Sequence, residues 1–149
     1  MPYDLSKPLV IGISSRALFN LEQENKIFEE QGVEAYEAYQ VTHENEILQK
    51  GAAFQLIKAF LKLNNTGLGR LVEVIIMSRN NANTCLRIFN SIQYYGLDIT
   101  RATLTSGAEI APYLKAFKTD LFLSANSVDV QSAINDGIAA GRILTGDAH

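Results

Sequence analysis

Apolar runs alternate with amphipathic stretches along this chain. Leu9–Ser14, Val72–Ser78, residues 102–105 and Leu121–Ser124 are short, nearly continuous apolar segments. Such segments suit strands of a parallel sheet covered on both faces. Residues 142–144 give a weaker fifth strand at the end of the chain. Helical patterns lie between them. Residues 51–63 put Ala53, Phe54, Ile57, Phe60 and Leu61 on one stripe, and residues 83–95 do the same with Leu86, Ile88, Phe89, Ile92 and Tyr95. Gly96 then serves as a C-terminal cap. Residues 127–138 open on a serine cap and end around Gly137. Strands alternating with helices predict right-handed βαβ crossovers and a three-layer, doubly wound parallel α/β sheet.

Residues 20–50 break that rhythm. They are rich in Glu, Gln and Tyr and separate the first strand from its crossover helix. Two amphipathic helices, 22–31 and 33–43, are expected there, forming a small helical cap over the carboxyl ends of the strands. The whole of 1–149 is expected to be one domain carrying this insertion at about 20–50.

The first strand runs straight into the polar turn Ser14-Ser15-Arg16. An open α/β fold binds its ligand just outside the carboxyl ends of its strands, so this turn is the first candidate functional position.

Composition narrows the classes. Apolar residues make up 47% and charged residues 19% of the 149, ordinary for a globular protein. A net charge of −3 argues against a nucleic-acid binder. No apolar run approaches a membrane span, and residues 1–7 show no signal-peptide pattern. One cysteine, Cys85, excludes an internal disulfide and fits a reducing, cytoplasmic setting. It lies on an apolar helix stripe and reads as packing. His43-Glu44-Asn45-Glu46 has metal-ligand residue types but reads as a solvated face, His149 is terminal, and Tyr36, Tyr39, Tyr94 and Tyr95 read as half-buried contacts. Thr105-Ser106-Gly107 follows the third strand and suits either a phosphate contact or a plain turn.

Four long segments, in order, carry a family resemblance: SSRALFNLEQENKIFEEQGVEAYEAYQVTHENEIL, GAAFQLIKAFLKLN, IIMSRNNANTCLRIFNSIQYYGLDITRATLTSG and YLKAFKTDLFLSAN. Together they resemble the N-terminal half of the cytosolic type I 5′-nucleotidase family, from about residue 9 to 144. The resemblance implies a haloacid dehalogenase-like, Rossmannoid fold, which with the alternation gives the strand order third, second, first, fourth, fifth, and a magnesium-dependent hydrolysis of nucleoside 5′-monophosphates such as AMP. It also implies that the Asp-x-Asp nucleophile element lies in a C-terminal half, beyond this chain, and that the N-terminal half, which this chain resembles, is a degenerate copy of the same fold. In a working site of that type, acids stand where this chain has Ile13 and Ser15. Ser78 matches the second element, Lys115 the lysine of the third, and Asp129 is the remnant acid of the fourth, beside Ala125.

The chain therefore keeps phosphate-holding groups and lacks reacting and metal-holding ones. The phosphate-binding candidates are Ser14, Ser15, Arg16, Ser78, Arg79, Asn80 and Lys115, with Asn80, Asn81 and Asn83 opening a helix whose N-terminus attracts phosphate. N-cap roles explain the serine and asparagines as well. Magnesium wants carboxylates, so no metal is expected for this chain alone, and hydrolysis by the chain alone is not expected either. The partners implied are phosphate or a nucleoside monophosphate, and a second copy or a catalytic half. Two alternatives stand beside this one: a small active phosphatase using Asp129 with Glu44 or Glu46, and an inert interaction module.

Overall fold

The computed structural model describes residues 8–79, 85–99, 101–106 and 108–144. Five strands form one all-parallel sheet: β1 (Leu9–Ser14), β2 (Val72–Ser78), β3 (Arg101–Leu104), β4 (Leu121–Ser124) and β5 (Ala139–Arg142), in the order β3-β2-β1-β4-β5. That is the order expected from the alternation of strands and helices together with the family resemblance. The helices are α1 (Ser15–Leu18), α2 (Glu22–Gln31), α3 (Val33–Thr42), α4 (Phe54–Lys62), α5 (Leu86–Tyr94), α6 (Ala111–Ala116) and α7 (Ser127–Asn135).

Strand alternation sends successive side chains to opposite faces, and two cores result. On one face Ile11, Ile13, Val74 and Ile76 meet Phe54, Ile57 and Leu61 of α4 and Ile88 and Ile92 of α5. On the other, Ile75, Met77 and Phe122 meet Leu114 of α6 and Ala133 of α7. Each fully buried side chain of this size stabilises the fold by roughly 1.5–3 kcal/mol. The continuous apolar runs of the central strands follow from this double coverage. No helix among the described residues is long and apolar enough to cross a membrane.

The segment from α2 to α3 is helical, as its amphipathic pattern predicts. Gly32 joins the two helices at φ 92°, a backbone conformation that favours glycine. The chain then returns to α1. Phe19 and Lys50 form an antiparallel bridge, and the Gly51 amide donates to the Leu18 carbonyl at 2.9 Å. A Cβ on Gly51 would stand 2.7 Å from the Phe19 backbone, so only glycine fits this approach.

Four expectations need correction. The last strand is Ala139–Arg142, not 142–144, because the parallel pairing with β4 engages Ala139 to Arg142. Helix α7 is capped by Asn126, whose side chain accepts from the Val128 and Asp129 amides, so Ser127 is its first helical residue. Helix α4 starts three residues later than its stripe suggested, at Phe54. On α5, Leu86 and Phe89 are exposed while Arg87 and Ser91 are buried. One flank of α5 meets the segment after α3 instead of the sheet. There Leu48 N donates to Ser91 Oγ at 2.9 Å, and Asn90 Nδ2 donates to the Glu44 carbonyl at 2.9 Å. Gly96 does end α5, at φ 67°, with its amide on the Gln93 carbonyl. The expected helix opening at 80–83 lies outside the described residues.

Candidate functional site at the strand ends

The sheet changes winding direction between β1 and β4, and a cavity of about 450 Å³ opens at the carboxyl ends of the strands around that point. This is where doubly wound folds place ligands. Its floor comes from strand ends: Ser14 closing β1 and Ser15 after it, Ser78 closing β2 and Arg79 after it, Ser124 closing β4 and Asn126 beyond it. Its roof is the helical cap, with Glu24, Phe28, Val33 and Tyr36.

Ser14 is held from two sides. Its Oγ accepts the Ala17 amide at 3.2 Å, capping α1, and the Ala125 amide at 3.2 Å. A serine oxygen has two acceptor positions and one O–H donor. Both acceptor positions are therefore taken, and what Ser14 offers a ligand is a donor. Ser124 is fully buried, and its Oγ accepts the Asn126 amide at 3.0 Å. Ser106 reaches the lining with φ 51°, in the left-handed region.

The charges nearly balance. Arg16 and Arg79 line the cavity, as do Glu24, Glu37 and Asp129. Arg79 donates to Asp129 through Nη2. The carboxylate is nine-tenths buried and the guanidinium side chain is 40% exposed. Arg16 Nη2 stands 3.4 Å from Glu22 Oε1, while its buried Nε has no partner. Glu24 is buried, with Oε1 3.4 Å from Arg87 Nη1. Arg87 is tied further to Gln40 Oε1 at 3.2 Å and to the Glu46 carbonyl at 2.8 Å. The cap is thus fastened to α5 by a buried guanidinium.

The candidates divide as follows. Ser14, Ser15, Arg16, Ser78, Arg79 and Asp129 all line the cavity. Ile13 does not. It is fully buried in the core beneath. Lys115, matched to the third element, sits exposed on α6 and is not part of the lining, where Arg79 is the cation beside Ser78. The reason is local. Helix α6 buries Ala111 and Leu114 against the sheet, which leaves Lys115 on its outer side. Asn80, Asn81, Asn83, Gly107 and His149 lie outside the described residues.

Glu44 and Glu46 are also absent from the lining, so neither pairs with Asp129 across the cavity. Glu46 instead stands 3.4 Å from His43 Nε2, and the His43 ring stacks on Tyr39 at 3.9 Å. Tyr95 packs with Phe19 and Phe54 and donates to the Leu48 carbonyl at 2.6 Å. Of the four tyrosines only Tyr36 lines the cavity. Cys85 is buried in the core, and burial pushes its thiol up to about 11, against a smaller lowering effect from Ser78.

The donor set does not fit a magnesium ion. No group of three or more His, Cys, Asp or Glu side chains among the described residues is placed to hold a metal. Among the described residues the one carboxylate beside the strand ends, Asp129, is held by Arg79, and the Ser14 oxygen has no acceptor position left.

Sequence reasoning missed Glu24, Arg87 and Gln40. The signal was present in the spacing Leu21, Glu24, Ile27, which puts a glutamate between a buried and a half-buried apolar residue on the inward side of α2. A charge on such a stripe is either paired or functional.

A family model described as 5′-nucleotidase matches residues 1–149. Cytosolic 5′-nucleotidase 1B of Homo sapiens is 41% identical over 145 residues, which cover 93% of this chain and 24% of that protein. The chain spans about a quarter of the length of that relative. No solved structure matches it.

Proposed function

Because the chain belongs to the 5′-nucleotidase family, we propose that it is a phosphate- or nucleotide-binding part of such a phosphatase and does not hydrolyse the ester by itself. The observation that carries this is the end of β1. A phosphoryl-transfer site of the expected type needs a carboxylate nucleophile there. This chain puts Ile13 in the core and offers Ser14 and Ser15 above it. Neither serine has a histidine in the lining to take its proton, and two of the carboxylates there, Asp129 and Glu24, are held by Arg79 and Arg87.

Binding asks for less. A phosphate oxygen needs donors, and the Ser14 hydroxyl, Arg16 and Arg79 supply them. Three carboxylates share the cavity, so the expected affinity is weak and depends on directed hydrogen bonds more than on net charge. Because the carboxylates are not gathered for magnesium, the phosphate is expected to bind without it. The chemistry would then be supplied by another part of the protein or by a partner chain. A cytoplasmic setting accords with the single cysteine and with the human relative's printed name.

Release of phosphate from AMP, IMP and an aryl phosphate tests whether the chain hydrolyses the ester by itself. The chain with magnesium is expected to stay at background. A magnesium-dependent turnover that disappears in Asp129→Asn would overturn it.

A further inference from the structure

The cavity is two-sided, and one group on its roof is unaccounted for. Strand-end hydroxyls and guanidinium groups make the floor, while Phe28, Val33 and Tyr36 make the roof. A bare phosphate uses only the floor. A volume of about 450 Å³ holds a ligand several times larger than a phosphate. Glu24 lines the roof side, is 5% exposed, and has one carboxylate oxygen, Oε2, buried with no partner. Its other oxygen faces Arg87, which comes from α5 behind the cavity wall. Arg87 is spent on Glu24, Gln40 and the Glu46 carbonyl. A buried carboxylate with half of its acceptor capacity unused is costly to keep. A hydrogen-bond donor on a seated ligand would relieve it.

We propose that Glu24 is a specificity-determining residue: positioned by Arg87, it accepts a hydrogen bond from a neutral O–H or N–H donor on the non-phosphate part of a nucleotide. This rests on the reading of the cavity as a phosphate or nucleotide site. It adds that the cap reads the nucleoside end. The donor belongs either to a ribose hydroxyl or to an amino group of the base, and the two sources are separable. An anionic or donor-free group at the same place is rejected by the carboxylate.

Calorimetric titration of the 149-residue chain with inorganic phosphate, AMP, 2′-deoxy-AMP and IMP tests this, on the unmodified protein and on Glu24→Gln. Glu24→Gln is nearly isosteric, and matching thermal melting establishes that it folds. Should it melt early, Glu24→Asp, which keeps the charge and shortens the reach, takes its place. The expected result is a tenfold or greater loss of AMP affinity in the variant with phosphate affinity unchanged. Weaker 2′-deoxy-AMP binding by the unmodified chain assigns the donor to the ribose, and weaker IMP binding assigns it to the base amine. Equal AMP affinity in variant and unmodified chain overturns the proposal, and so does an equal loss of phosphate and AMP, which marks a purely structural Glu24. If the unmodified chain binds neither phosphate nor AMP, the underlying reading fails together with this one.

Discussion

Replacing Asp129 with asparagine should weaken the fold and strengthen phosphate binding. Asp129 is nine-tenths buried and holds Arg79, the guanidinium beside Ser78 on the cavity floor. In the ligand-free protein this carboxylate occupies the cation that a phosphate would use. At about 5 Å and an effective dielectric near 20, one unit charge acts on another with about 3 kcal/mol. Arg79 is 40% exposed, so solvent screening reduces that to about 1–1.5 kcal/mol. Removing the competing charge should therefore tighten phosphate binding about tenfold. The fold loses the pair, and α7 loses an acid from its first turn, where the helix dipole favours negative charge. Together these cost about 1–2 kcal/mol, towards the low end because the freed guanidinium can turn to water. Calorimetry with phosphate at pH 7.5 in low salt, without magnesium, reads the affinity, and urea unfolding reads the stability. The reasoning fails if the variant binds phosphate more weakly. It also fails if magnesium tightens binding to the unmodified chain and Asp129→Asn abolishes that gain, because Asp129 would then be a metal ligand.

Two further outcomes follow from the packing. Gly51→Ala places a methyl 2.7 Å from the Phe19 backbone and 2.8 Å from the Ala17 carbonyl oxygen, so it should destabilise by about 1–3 kcal/mol in urea unfolding; an unchanged midpoint would show that this return of the chain is looser than described. The Cys85 thiol, raised from 9.0 to about 11 by burial, should resist a disulfide reagent at pH 8 until the protein unfolds. Its linkage has a definite sign. The raised value favours the protonated, folded state, so this contribution is complete below pH 9 and is lost as pH climbs towards 11. Rapid labelling of the native chain would contradict it.

Much of the architecture was legible because local and global signals agree. The central strands β1, β2 and β4 are buried on both faces, so their apolar runs mark their limits, and parallel order followed from the alternation with helices. The edges were harder. Strand β5 has the sequence Ala139-Ala140-Gly141-Arg142, with little side-chain signal, and it is defined by backbone pairing with β4. The floor of the cavity was readable from strand ends, since the topology fixes where they gather. The roof was not, because Glu24, Gln40 and Arg87 come from three helices and meet only through tertiary packing. Lys115 shows the opposite limit. A residue matched to a motif by its order along the chain still depends on which side of a six-residue helix it takes.

The central claim is that this cavity holds a phosphoryl group without metal and without cleaving it. Phosphorus NMR of AMP mixed with the chain reads both halves at once, in parallel samples with magnesium and with a chelator, each compared with AMP lacking protein. The account predicts a protein-dependent change in the AMP resonance that is the same in both samples, with no inorganic phosphate signal growing over hours. A growing phosphate signal that requires magnesium, or an AMP resonance that the protein leaves unmoved in both samples, would contradict it.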